Sequence, residues 1–138
     1  MKIYFASSNK NKLEEATKIL TKYNVIVEPL LLECPEIQSD NLEEIAKFSV
    51  KFAFNEVKNP VFVEDSGLFI EVLNGFPGPY SSYVYNTIGN EGILNLMKNE
   101  KNRKANFKSI IAYSESKDSI LTFIGQTAGI ISTKILLG

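Results

Sequence analysis

Apolar and polar positions along this chain follow two different periods, and the places where one gives way to the other mark the elements. Ile3 to Ala6 is a short apolar run that breaks at Ser7-Ser8-Asn9, which predicts a buried strand. From about Lys10 to Tyr23 the apolar residues Leu13, Ala16, Ile19 and Leu20 recur at helical spacing. A helix is predicted there, with Asn9 as its cap and with Glu14 and Glu15 early, where the helix dipole favours negative charge. Val25 to Leu32 predicts a second strand, followed by a loop at Cys34-Pro35-Glu36. A second helix is predicted from Asp40 or Asn41, where Asp40 followed by Glu43 resembles a capping box. Leu42, Ile45, Ala46, Phe52 and Ala53 form its apolar face.

Pro60 opens the most telling stretch. Val61-Phe62-Val63 runs into Glu64-Asp65-Ser66-Gly67, which reads as a buried strand ending at a polar site. Leu68 to Leu73 predicts a further strand, and Asn74-Gly75-Phe76-Pro77-Gly78-Pro79 carries every turn signal. A helix is predicted around Glu91 to Lys98, with Ile93, Leu94 and Met97 on one side. Phe107 to Tyr113 and Ile120 to Ile124 predict two strands joined through Glu115-Ser116-Lys117-Asp118, and Gly125 and Gly129 are expected to flank a turn into Ile130-Ile131. Alternation of strands and helices at the start suggests parallel pairing, and the later hairpin adds antiparallel strands. The predicted fold is α/β, with a mixed parallel and antiparallel central sheet flanked by helices.

Composition narrows this picture. At 138 residues and 44% hydrophobic residues, the chain is expected to form one domain with a real core. The formal net charge of -1 and the absence of a basic stripe argue against a nucleic-acid partner. No apolar run approaches the roughly 18–20 residues of a membrane span, and the start is too short in apolar residues for a signal peptide. The single cysteine, Cys34, excludes an internal disulfide and suggests a reducing compartment. A soluble cytoplasmic protein is expected. The chain has no histidine, so proton transfer falls mainly to Asp, Glu, Lys or Tyr, and a metal would be held mainly by oxygen.

Four segments carry candidate chemistry. Ser7-Ser8-Asn9-Lys10-Asn11-Lys12 lies at a strand-to-helix turn, where free backbone N–H groups, the helix N-terminus and Lys12 would together cradle phosphate. It lacks the glycines of a P-loop, and an ordinary capped helix start would read the same way. If the first three strands lie side by side, Glu36, Glu64 and Asp65 open on one edge of the sheet and could surround one Mg²⁺. A pair of solvated turn acids is the plainer alternative. Gly67 beside the acids would let a ligand approach the backbone closely. In the Gly75 to Ser81 loop and just beyond it, Phe76, Tyr80, Tyr83 and Tyr85 offer aromatic faces for a base, or pack as an ordinary turn.

Taken together, these segments resemble the inosine triphosphate pyrophosphatase family. The resemblance rests on Ser7-x-Asn9-x-x-Lys12 with Leu13 and Glu15, on Pro35-Glu36, and on Val63-Glu64-Asp65-Ser66-Gly67-Leu68. It continues through Leu73-x-Gly75-x-Pro77-Gly78-x-Tyr80-Ser81 and Phe123-x-Gly125-x-x-x-Gly129, so that it covers nearly the whole chain. It implies hydrolysis of non-standard purine nucleoside triphosphates (ITP, XTP, dITP) to monophosphate and pyrophosphate. Residues Ser7 to Lys12 would then bind substrate, as would Ser66. Glu36 and Asp65 would hold Mg²⁺ with Glu64 close by, and Asp65 would be the general base. A homodimer is expected from the same resemblance and from the apolar Ile135-Leu136-Leu137. Similar proteins continue past this point with an aromatic-Gly-aromatic-Asp-Pro loop and a Ser-His-Arg element that grip the base. Neither occurs here, so a truncated, catalytically weak nucleotide-binding remnant is the alternative expectation.

Overall fold

The computed structural model describes residues 1–35 and 37–136. Its first strand, β1 (Lys2–Ala6), pairs in parallel with β2 (Ile26–Leu30), in a register that runs from Lys2 opposite Ile26 to Ala6 opposite Leu30. On its other side β1 pairs in parallel with β3 (Val61–Ile70), Tyr4 facing Val61 and Phe5 facing Phe62. β3 also pairs antiparallel with the two-residue β4 (Pro77–Gly78). With β5 (Lys104–Ser116) and β6 (Ser119–Ile130) the strand order is β2-β1-β3-β5-β6. Among the described residues four helices accompany this mixed sheet: α1 (Lys10–Thr21), α2 (Leu42–Val57), α3 (Ser81–Thr87) and α4 (Gly89–Leu96). The α/β class and the mixed sheet expected from the sequence are the ones observed.

The chain packs as two compact units. The first comprises Met1–Asp65 and Ile110–Phe123, the second Ser66–Ser109 and Ile124–Gly138. In the first unit Phe5, Val27 and Phe62, from three adjacent strands, form a buried cluster. Phe5 and Phe62 stack with ring centroids 4.3 Å apart. Leu13, Ala16 and Leu20 of α1 pack on this cluster, as does Tyr113. Ile19, assigned to the same face by spacing, is 55% exposed, because the stripe that touches the cluster is one residue wide at each turn. α1 stops at Thr21, short of the expected Tyr23. Asn24 takes a left-handed φ of 60°, and the N–H groups of Val25 and Asn24 close back on the carbonyls of Leu20 and Thr21.

At the start of α2 the cap is Asn41, whose Oδ1 accepts from the N–H groups of Glu43 and Glu44 at 2.9 and 3.3 Å. Asp40 and Glu43 do not form the expected capping box. Ser39 carries the reciprocal half instead: its hydroxyl accepts from Asn41 N–H at 3.1 Å and donates to Glu44 Oε2 at 3.0 Å. Leu42, Ile45, Ala46, Ser49, Val50 and Ala53 are the buried side of the helix. Glu43 also meets Lys47 one turn on and accepts from the Thr122 hydroxyl, and these partners, Lys47 foremost, lower its pKa.

The second unit departs further from expectation. The strand predicted for Leu68 to Leu73 is the continuation of β3 as far as Ile70, followed by a 3₁₀ turn, Glu71–Leu73. The Leu73–Pro79 loop folds back far enough to lay β4 against Leu68 and Phe69. This packing leaves no room at Gly67, where an added Cβ would stand 2.2 Å from the Gly78 carbonyl oxygen. What approaches Gly67 is therefore the chain's own backbone. α3 was not expected from Ser81-Ser82-Tyr83, and Val84 is its buried anchor. Gly125 and Gly129 lie within β6 rather than at a turn, with open space where a side chain would be. Arg103, the one arginine, donates to the carbonyls of Met97, Glu100, Ile131 and Ser132, and so ties the end of α4 to the segment after β6. Among the described residues no helix is long and apolar enough to cross a membrane. Ile135 and Leu136 are exposed, and Leu137 lies outside the described residues.

Two outcomes are expected. Gly67→Ala should lower unfolding free energy by about 2–3 kcal/mol in urea titration, because the Cβ collides with backbone that cannot rotate away. Tyr113, half-buried and donating to Glu115 Oε2 at 3.1 Å, has its pKa raised above 10.0, first by burial and then by Glu115. The unfolded chain therefore ionises this phenol first, so its contribution to stability is complete below pH 10 and is lost above it. Tyr113→Phe should flatten the fall of melting temperature with pH in that alkaline range.

Candidate active site

The strand-to-helix turn after β1 is built by its own side chains. Ser7 Oγ accepts from Asn9 N–H at 3.1 Å, and Asn9 Oδ1 accepts from the N–H groups of Asn11 and Lys12 at 3.0 and 3.1 Å. The Asn9 carbonyl takes the Leu13 N–H. The turn thus forms as a capped helix start, and three of the amides expected to be free for phosphate are already engaged. The turn also carries the hydroxyls of Ser7 and Ser8, the Asn9 amide nitrogen, the exposed Lys10 and Asn11, and Lys12.

Lys12 is the third residue of α1, on the side that faces the sheet. Its Nζ forms an ion pair with Glu64 Oε2, the Lys and Glu side chains being 34% and 14% exposed. The pairing follows from strand geometry. Glu64 is two residues beyond Phe62, so it shares the face of β3 on which Phe62 meets α1. β1 has run out at this level, since Ala6 is its last residue and Phe5 already faces Phe62. The acids stand where β3 has outlived its parallel neighbour, rather than at the end of a strand as the sequence suggested.

Asp65 follows in the same unbroken strand and by alternation turns to the opposite face from Glu64. It is half-buried, as is Ser66, the first residue of the second unit. Glu36, expected as a metal ligand, lies outside the described residues. Among the described residues no group of three His, Cys, Asp or Glu is disposed to hold a metal ion. The structure therefore brings Lys12 and Glu64 together and makes Asp65 and Ser66 consecutive on β3. Phe76, Tyr80, Tyr83 and Tyr85 belong to the second unit and are all exposed, Tyr83 most of all.

Reading by spacing missed that Glu64 answers Lys12. The signal was present in the parity of Phe62 and Glu64 combined with the helical position of Lys12 beside Leu13. It also missed Ser81, whose hydroxyl bonds both Leu68 and Gly78 within the second unit.

Comparison with known proteins sets this geometry in a lineage. Residues 3–136 match the Ham1 family. A dITP/XTP pyrophosphatase of Methanopyrus kandleri is 52% identical over 132 residues, which are 96% of this chain and 70% of that protein. A protein of the same name from Thermococcus kodakarensis is 49% identical over 134 residues, covering 97% of this chain and 72% of that one. Among solved structures, a HAM1 protein from Coxiella burnetii superposes with a TM-score of 0.84 at 25% identity, covering 97% of this chain and 74% of the other. The Staphylococcus aureus Ham1 protein gives 0.83 at 26% identity, covering 96% and 73%.

The ion pair should be measurable. In a double-mutant cycle of Lys12→Met and Glu64→Gln, the coupling free energy from urea unfolding should be about 1 kcal/mol, and Lys12→Met alone should cost more than the double variant. A coupling of zero would mean that the two charges do not interact in solution.

Proposed function

The chain belongs to the Ham1 family, and we propose that it hydrolyses non-standard purine nucleoside triphosphates, of the ITP, XTP and dITP type, to the monophosphate and pyrophosphate. The observation that carries this reading is the Lys12–Glu64 ion pair standing beside Asp65 at the level where β1 ends. Lys12 meets Glu64 there, at the foot of a polar turn, and Asp65 is the next residue of the same strand, on its other face. The relatives named dITP/XTP pyrophosphatase support the substrate class.

In this reading the triphosphate tail lies along the turn, held by the side chains of Ser7, Ser8, Asn9, Lys10 and Asn11. Lys12 exchanges part of its contact with Glu64 for the phosphate oxygens. A group already held in place by a carboxylate needs little reorganisation to meet a second anion. Asp65 accepts the proton of the water that attacks the α-phosphorus. The bond from that phosphorus to the bridging oxygen breaks, and pyrophosphate leaves. Ser66, next along the strand, touches the nucleotide. The donor set at hand, all carboxylate and no imidazole, suits a hard cation. Mg²⁺ would be held by Asp65 and Glu36 with Glu64 close by, and when bound it supplies neutralisation of the triphosphate and of the leaving pyrophosphate. The reading further has the chain act as a homodimer in the cytoplasm, the exposed Ile135 and Leu136 favouring association.

The test is pyrophosphate release from ITP, XTP and dITP, with and without Mg²⁺. Asp65→Asn should retain the fold and lower turnover by roughly 10²–10⁴-fold, the usual worth of a positioned general base. A parent chain that releases pyrophosphate from none of the three would overturn the proposal, and a variant as fast as the parent would remove Asp65 from the base role.

A further inference from the structure

Ser81 is the first residue of α3, yet its hydroxyl serves two other elements. It accepts from the Leu68 N–H at 2.8 Å and donates to the Gly78 carbonyl at 2.7 Å. Leu68 and Gly78 face each other in the antiparallel β3–β4 pair. The hydroxyl therefore sits as a rung between a donor and an acceptor on facing residues, in the way a bridging water would. Unlike a water, it is tethered to a helix whose Val84 is buried.

The same short stretch of β3 is held from a second direction. Gly67 packs so closely on Gly78 that a Cβ there would stand 2.2 Å from the carbonyl oxygen and 2.8 Å from its carbon. The backbone of Gly67 and Leu68 is thus fixed by a contact with Gly78 and by a hydrogen bond to Ser81. Ser66 is the residue immediately before it, and it follows Asp65. Nothing in β4 itself, only two residues long, would hold this stretch so firmly.

We propose that Ser81 is a positioning residue for the nucleotide: by pinning Gly67 and Leu68 it sets the direction in which Ser66 presents its hydroxyl to the substrate. The inference rests on the proposed pyrophosphatase activity. It assigns Ser81 no contact with substrate. Its effect passes through Ser66, so it belongs to binding rather than to the proton transfer at Asp65.

The experiment compares KM and kcat for ITP, and the melting temperature, across the parent, Ser81→Ala, Ser81→Thr, Ser66→Ala and the Ser66→Ala/Ser81→Ala double variant. Ser81→Ala should raise KM about tenfold, the loss of about one hydrogen bond's worth of orientation, with kcat within about twofold. Ser81→Thr, which keeps the hydroxyl, should restore most of the loss. In the double variant KM should equal that of Ser66→Ala alone, since Ser81 has then nothing left to orient. A brace that serves stability only would lower the melting temperature of Ser81→Ala and leave its KM unchanged, and that result overturns the proposal. So does a double variant whose losses simply multiply. If Ser81→Ala does not fold, Ser81→Cys, with a similar shape and a weak hydrogen-bonding group, carries the same KM comparison. A parent that hydrolyses no triphosphate overturns the proposed function and this inference with it, whereas an active parent with an unchanged Ser81→Ala KM overturns this inference alone.

Discussion

Two carboxylates in succession on one strand repel each other, and the way this chain accommodates them organises everything around them. The pleat of β3 turns Glu64 and Asp65 to opposite faces, which lengthens the distance between the charges. Lys12 then answers Glu64 from α1. The ion pair is partly buried, where screening is weaker than in water, so it constrains the register of α1 against β3 more than a surface pair would. That register is set independently by Leu13, Ala16 and Leu20 on the Phe5, Val27 and Phe62 cluster. Charge and core therefore agree: the residue that follows Lys12 is a core contact, and the residue two before Glu64 is its partner in the core.

The sequence made the hydrophobic half of this legible and the polar half less so. β1, α1, β2, α2 and the β5–β6 hairpin follow from periodicity because burial enforces the period. The exact cap of α2 was missed because Ser39, Asp40 and Asn41 are all capping residues, and only the direction of the chain decides that Asn41 caps while Ser39 carries the reciprocal bond. The break expected inside Glu64 to Gly67 came from reading polarity as an end. β3 runs on because β4 comes back to pair with Leu68 and Phe69, a long-range event that no local window contains. α3 escaped notice for the opposite reason: Ser, Ser and Tyr are indifferent helix formers, and the buried Val84 supplies what propensity does not.

Candidate chemistry was legible as residue types and less so as geometry. Small polar residues at Ser7 to Asn9 suggested open amides, yet the same residues are good caps because their oxygens take up those amides. The turn is held by its own side chains. Three of the amides expected to serve a phosphate are thereby taken up within the turn. Structural neighbours at 25–26% identity superpose with TM-scores of 0.83 and 0.84, so this arrangement of elements persists while most side chains change.

Gly67 shows why a few positions tolerate so little. Its freedom from a side chain first suggested that a ligand comes close, and the structure gives the place to Gly78. The two ideas meet in Ser66. The residue after Ser66 meets Gly78, and the one after that is bonded by Ser81, so the backbone just beyond Ser66 is anchored twice. A glycine permits the tightest possible backbone contact, and a hydroxyl from another element closes the remaining hydrogen bond. Such anchoring leaves no trace in hydrophobic periodicity, because it runs through backbone groups and one hydroxyl. It shows in the sequence only as small residues, Ser66, Gly67, Gly78 and Ser81, that fall in loops and strand ends by every local rule and acquire a common purpose when β3 and β4 pair.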